Sequence, residues 1–218
     1  ITIANVVVQN GFSTALVQKK HSDDADFSSV FYFSLVIAGV MYAALYASAP
    51  SIAGFYHNDV LVPIVRVLAV VLFPGAVISV QTAYVSRKME FKGLFKATMA
   101  AVVISGAVSI FMAYRGMGVW AMVGQQIAYY LALMTTLFLT VSWKPRLVFA
   151  MGRIRSMFSF GWKLLLAALL DTLFNNLYGL IMGKIYNEEL LGAYNRGDQF
   201  PKLIVNNLGA AIQAVLLP

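Results

Sequence analysis

The feature that most constrains this chain is a set of long runs without a single charged side chain. Residues 27–56 contain no Asp, Glu, Lys or Arg. The same holds for residues 67–86, 97–114 and 116–143. A bilayer-crossing helix needs roughly 20 mostly apolar residues, and each run is near or above that length. A water-soluble helix keeps a charged or polar face toward solvent, and these runs have no charge to spare for one. The chain is 60% hydrophobic and only 11% charged over 218 residues, against about 25% charged in soluble domains. Length alone would allow a soluble core; the arrangement does not.

Seven apolar segments follow: roughly 1–18, 28–49, 63–86, 95–114, 119–141, 161–183 and 199–218. The predicted fold class is all-α, a polytopic transmembrane helical bundle. Ile1 and Pro218 both lie inside apolar runs, with no initiating Met and no signal-peptide pattern. The expectation is a piece of a longer chain, cut within helices at both ends.

The net charge of +7 would suggest nucleic acid in a soluble protein. Here it sorts by gap instead. Lys19, Lys20, Arg87, Lys88, Lys92, Lys96, Lys144, Arg146, Arg153, Arg155 and Lys163 fall in alternate gaps. Arg66, Arg115, Lys184, Arg196 and Lys202 fall in the others. The positive-inside rule places the richer set in the cytoplasm, so the chain enters from outside and no nucleic-acid partner is expected. Trp143 and Trp162 flank the longest basic gap, where interfacial aromatics are expected. Within that gap, Leu147, Met151, Ile154 and Phe158 recur at helical spacing around Arg153 and Arg155. This predicts a helix lying on the inner leaflet. Pro74, followed by Gly75, falls inside the third segment and predicts a bend.

Catalytic constellations are missing. Neither a G-x-S-x-G turn, a Walker A loop nor zinc spacing occurs. The chain is expected not to be an enzyme and to need no cofactor or metal. With no Cys, disulfides and thiolate sites are excluded. Asp23, Asp24 and Asp26 could hold magnesium beside a diphosphate. No second acidic cluster faces them, and they read better as a helix start, with Ser22 as cap and the aspartates complementing the dipole.

A few polar groups remain near or inside the spans. Asp171 lies mid-segment, with Asn175 and Asn176 one turn on. Charge in hydrocarbon costs about 2.5 kcal/mol or more, so this face lines either a water-filled, ion-coupled cavity or a hydrogen-bonded helix interface. Gln81, Gln125 and Gln126 read as polar contacts between helices. Arg66 and Arg196 sit near outer span ends. Their planar guanidinium groups suit phosphate oxygens, although snorkelling toward headgroups is the commoner fate of such residues.

The run Gly11-Phe12-Ser13-Thr14-Ala15-Leu16-Val17-Gln18-Lys19-Lys20 resembles a signature of the bacterial polysaccharide flippases. These are the O-antigen and colanic-acid exporters of the multidrug/oligosaccharidyl-lipid/polysaccharide superfamily. Gly118-Val119-Trp120-Ala121 with Gln125-Gln126, and Trp143-Lys144-Pro145-Arg146, resemble it too. So do Phe160-Gly161-Trp162-Lys163 and Leu191-Gly192-Ala193-Tyr194-Asn195-Arg196, in order and spacing. The resemblance covers essentially the whole chain.

It implies a fragment of a two-lobed transporter of 12–14 helices, multi-pass in the bacterial inner membrane. Residues 1–141 would belong to the first lobe, 142–160 would form the cytoplasmic basic link, and 161–218 would open the second lobe. A short echo between Val8-Gln9-Asn10-Gly11 and Val205-Asn206-Asn207-Leu208-Gly209 fits a parallel repeat. The implied activity is flipping of an undecaprenyl-diphosphate-linked oligosaccharide, for lipopolysaccharide, capsule or exopolysaccharide. Implied partners are that lipid-linked substrate, membrane lipids, and polymerase or other assembly proteins. The family's cationic cavity maps best onto Arg196, in Tyr194-Asn195-Arg196-Gly197-Asp198-Gln199-Phe200-Pro201, and less firmly onto Arg66. Asp171, Asn175 and Asn176 would complete the substrate-binding set. The alternatives are a multidrug or ion-coupled exporter of the same superfamily, which favours an acidic cavity, and a membrane enzyme of polysaccharide assembly, which favours a large outer loop.

Overall fold

The computed structural model describes residues 1–10, 13–18, 23–148, 150–185, 192–194 and 196–197. These residues form helices, turns and one extended strap, with no strand among them. The helices are α1 (Thr2–Asn10), α2 (Ser13–Gln18), α3 (Asp24–Tyr56), α4 (Leu61–Leu68), α5 (Leu72–Lys88), α6 (Phe91–Tyr114), α7 (Val119–Thr140) and α8 (Met151–Ile185). Several expectations lie outside the described residues: Gly11 and Phe12 of the first signature, Lys19 to Ser22, Leu191, Asn195, Asp198, and the whole last segment with its echo of the first. The chain divides into two compact units, Ile1–Thr172 and Leu173–Pro218.

Four stretches among the described residues are long and apolar enough to cross a membrane: Asp24–Tyr56, Leu61–Lys88, Phe91–Tyr114 and Val119–Thr140. They are the second to fifth apolar segments of the sequence. Together with the family given below, they make this a multi-pass membrane protein. Its outward surface agrees. Val103, Ile110, Phe111, Met122 and Leu139 are exposed, a surface that water would penalise and acyl chains would not.

The ends of these helices follow local chemistry. α3 starts with Asp23 as N-cap, one residue later than Ser22. The Asp26 carboxylate accepts a hydrogen bond from the Asp23 backbone N–H at 3.2 Å, and Asp24 and Asp26 lie in the positive first turn. The acidic cluster therefore works as a helix start. At the other end α3 passes Ala49 and continues through Pro50 to Tyr56. It stops where His57 turns left-handed and its N–H meets the Gly54 carbonyl.

The third segment is not one uniform helix. A 3-10 turn over Ala69–Val71 separates α4 from α5. Pro74 has no N–H to give the carbonyl four residues back, at Val70, and its ring crowds that carbonyl. The backbone tightens at that point. This change of helix type lies just before Pro74, where the sequence predicts a bend. α6 and α7 form a hairpin through residues 115–118, where Gly116 and Gly118 take positive φ of 75° and 52°, conformations that side chains rarely adopt.

Helix α5 is the centre of the first unit, packed against α1, α2, α3, α6 and α7. In one layer Ala4, Val8, Ala38, Leu72 and Ala76 meet. These mostly small side chains let backbones approach closely, which is how helices associate without a hydrophobic drive between them. A second layer joins Leu16, Phe27, Phe31, Val77, Val80, Leu137 and Trp143. Arg87, counted in the sequence only toward orientation, also holds this end together: its guanidinium donates to the Leu16 carbonyl at 3.1 Å.

The basic stretch after α7 departs from expectation. Trp143 is not an exposed interfacial ring. It is only 5% exposed, stacked on Tyr84 at 6.0 Å and set against Phe27 and Phe31. Residues 141–148 are non-helical and, with Ala150, form a strap across the start of α3. The Arg146 N–H donates to Ser28 Oγ and the Ala150 N–H to Ser29 Oγ, each at 3.1 Å. Both serines are fully buried. Their own hydroxyls donate to the Asp24 and Ala25 carbonyls. Leu147 therefore lies in the strap, exposed, and helix begins only at Met151. That helix does not stop after an amphipathic turn. It continues as α8 to Ile185, and Ile154 is buried in the aromatic layer while Phe158 is exposed. The strap amides need acceptors, and the two serine hydroxyls supply them, so Leu147, Val148 and Ala150 stay outside the helix.

Candidate functional site

Among the described residues, two concave sites of the first unit are lined by residues outside the basic strap, and a smaller one, of about 280 Å³, lies at the strap itself. The first lies where α1, the α4–α5 junction and α7 converge. It holds about 410 Å³ and is lined by Asn5, Gln9, Leu68, Val71, Gln126 and Tyr130, together with Ile1, Thr2 and Val6. Gly75 lies beside two of its amides. A Cβ there would come within 2.9 Å of Gln9 Nε2 and 3.4 Å of Asn5 Oδ1, so only glycine admits both amides at their present positions. Gln9 Nε2 donates to Asn5 Oδ1 at 3.3 Å across one turn of α1.

The second site is a groove of about 480 Å³ lined by Tyr42, Tyr46, Pro63, Arg66, Val70 and Ile127. The Arg66 guanidinium carbon stands 4.2 Å from the centroid of the Tyr46 ring. Such a contact stabilises a cation by about 0.5–2 kcal/mol, more as water is excluded. Arg66 Nε is buried without a hydrogen-bond partner. Its position in the last turn of α4 also suits a positive charge. Arg66 thus rests on an aromatic face, in a groove wide enough for a ligand.

Asp171 is exposed on α8 in the first unit. Asn175 and Asn176 are exposed on the same helix, in the second unit. Arg196 is exposed in a helical stretch of the second unit. Among the described residues, Arg66 lies in a groove. Sequence reasoning passed over Asn5, Gln9 and Tyr130 and read Gln126 as a contact between helices. The available signal was the spacing of Asn5 and Gln9, which puts two amides on one face of an otherwise apolar helix.

The whole chain, residues 1–218, matches the model of a family described as polysaccharide biosynthesis protein. The chain belongs to that family. Among curated proteins it is 29% identical over 224 residues to the teichuronic acid biosynthesis protein TuaB of Bacillus subtilis (strain 168), covering 99% of this chain and 45% of the relative. It is 20% identical over 208 residues to the succinoglycan biosynthesis transport protein ExoT of Rhizobium meliloti (strain 1021), covering 95% of this chain and 42% of the relative. The chain spans less than half the length of these relatives. No solved structure matches it.

Proposed function

We propose that this chain is part of a transporter, not an enzyme, that flips an undecaprenyl-diphosphate-linked oligosaccharide across the bacterial inner membrane by alternating access. The match of all 218 residues to the polysaccharide biosynthesis family carries this reading. One relative is named for biosynthesis and the other for biosynthesis and transport. The helical bundle, with polar side chains in its described spans, fits a carrier.

Each polar group has a distinct task in this scheme. Arg196 contacts the diphosphate through its planar fork, which matches phosphate oxygens. Arg66 supplies a second cation in its aromatic groove. Asp171, Asn175 and Asn176 give polar side chains to the transport path. The two lobes are residues 1–141 and the part opened by 161–218, linked by the basic stretch 142–160 on the cytoplasmic side. The product passes to polymerase and assembly proteins on the outer face.

The test is export in cells lacking the native gene. Full-length protein should restore surface polysaccharide, and Arg196→Ala at equal membrane abundance should lower output at least tenfold. Unchanged output from Arg196→Ala would remove that residue from the mechanism. Restored drug resistance without restored glycan would favour the multidrug alternative.

A further inference from the structure

We infer that the pocket at the strap is a binding site for the phosphate group of an anionic membrane lipid. The inference does not depend on what the protein transports.

The pocket holds about 280 Å³ and is lined by Asp24 of α3, Tyr84 of α5 and residues 142–146 of the strap. That is just below the ~300–1,000 Å³ of small-ligand sites, a size for one headgroup phosphate rather than for an oligosaccharide. It lies at the end of the spans, where α3 starts and α5 and α7 stop. Lipid headgroups border the hydrocarbon core at this level.

The donors in the lining suit an oxyanion. Trp143 lines the pocket and is 5% exposed, and its Nε1 is buried with no hydrogen-bond partner. An indole N–H can only donate, and a buried donor normally has an acceptor. Tyr84, Phe27 and Phe31 hold the ring, so this donor is fixed in place. Arg146 adds a guanidinium whose planar fork matches phosphate oxygens. It stands 3.7 Å from the Asp24 carboxylate, with its side chain 73% exposed. A charge-assisted hydrogen bond is ~2.7–2.9 Å long, so Asp24 holds the fork loosely and a closer oxyanion can take it. The Lys144 ammonium donates to the Phe138 and Val141 carbonyls, which leaves one of its three protons. Two cations and one carboxylate therefore line the pocket. The neighbouring Asp26 carboxylate accepts from the Asp23 N–H. Lys88 adds a further cation nearby, 5.8 Å from the centroid of the Tyr84 ring. The balance is positive and calls for an anion.

The next residues of the strap favour a lipid over a soluble phosphate. Leu147 and Val148 follow Arg146 and are both exposed. Water penalises such side chains and acyl chains do not. A headgroup in the pocket brings its acyl chains beside them, and a free phosphate brings nothing. Basic pockets between helices at the ends of spans are suited to anionic headgroups in this way.

The test measures binding of phosphatidylglycerol, with a fluorophore on its acyl chain, to purified full-length protein in uncharged detergent. Unlabelled phosphatidylglycerol should compete at least tenfold better than phosphatidylcholine. Inorganic phosphate in thousandfold excess should displace less than half of the probe. Arg146→Gln should lower affinity at least fivefold. Trp143→Phe, which keeps a ring in the aromatic layer and removes the N–H, should lower it at least threefold. Asp24→Asn removes the competing carboxylate and should raise it. Arg115→Gln, at the other end of the spans, should bind within twofold of the parent. No saturable binding, or equal competition by the two lipids, would overturn the site. So would parent-like binding by both Arg146→Gln and Trp143→Phe, or an equal fall in Arg115→Gln. A fall in Asp24→Asn would show that Arg146 acts by shaping the strap and would overturn direct contact. Full displacement by inorganic phosphate would make this a soluble-anion site and overturn the lipid assignment.

Discussion

The strap after α7 makes a quantitative prediction. Replacing Ser28 and Ser29 by Ala removes the acceptors for the Arg146 and Ala150 amides. Each such N–H is left without its partner in a partly buried position. That costs about 1–2 kcal/mol apiece, toward the lower end of the penalty for a stranded donor. The pair amounts to about 2–4 kcal/mol, or a factor of about 30 to 700 in the docking equilibrium. Helix α3 itself is not weakened, because alanine is the better helix former and the Asp24 and Ala25 carbonyls keep their place in the helix. The Arg146–Asp24 ion pair, 3.7 Å apart with both side chains more than half exposed, cannot replace the lost bonds, since such pairs contribute about 0–1 kcal/mol.

The reporter is a cysteine at Ile154, a residue 3% exposed just beyond the strap, placed in a sequence that has no cysteine of its own. A membrane-permeant maleimide reaches that thiol only when the strap lifts, so the labelling rate follows the open fraction. The double variant should label at least tenfold faster than the parent. Ser48→Ala is the control, because the Ser48 hydroxyl bonds only to Leu45 of its own helix; its rate should match the parent. A double-variant rate within twofold of the parent would refute the tether.

Other consequences are simpler. Tyr46→Leu removes the ring beneath Arg66 and should lower thermal stability by about 1 kcal/mol, read as an earlier melting transition; Tyr46→Phe, which keeps the ring, should not. Gly75→Leu should cost about 1–3 kcal/mol through overpacking against α1 and reduce transport, whereas Gly75→Ala displaces only a flexible amide and should cost less; thermal melts and export assays check both. Arg87→Met should destabilise by about 1.5–3 kcal/mol through loss of a charge-assisted bond to the Leu16 carbonyl, seen as faster proteolysis near α2. Cysteines at Gly116 and Leu147 should label from opposite sides of intact cells, with Gly116 reached from outside and Leu147 only after permeabilisation; labelling of Leu147 from outside would reverse the orientation argued from basic residues.

Sequence reading captured what depends on bulk hydrophobicity. Runs without charge have one stable outcome in a bilayer, so the four long spans were visible before any coordinates. The acidic start of α3 was visible as well, because capping chemistry is local. What stayed hidden depends on neighbours far away in the chain. Trp143 beside lysine and proline reads as a membrane-interface ring, yet Phe27, Phe31 and Tyr84 enclose it. Ser28 and Ser29 read as small residues in an apolar helix, yet they anchor amides more than a hundred positions away. The helical spacing of Leu147, Met151, Ile154 and Phe158 was real but overridden at its start by that tether. Arg66 stood out as an isolated charge, whereas Asn5 and Gln9 carry no charge and gain meaning only where Gly75, Gln126 and Tyr130 come against them.

In the proposed function the full-length protein moves a lipid-linked glycan between leaflets. Its most direct test places purified protein in vesicles whose inner leaflet carries undecaprenyl diphosphate bearing a fluorescently tagged repeat unit, with a membrane-impermeant quencher outside. The account predicts that protein-containing vesicles lose internal fluorescence well faster than protein-free ones, and that Arg196→Ala slows the loss at least tenfold. Loss no faster than in protein-free vesicles, from protein that is folded and present in both orientations, would contradict it.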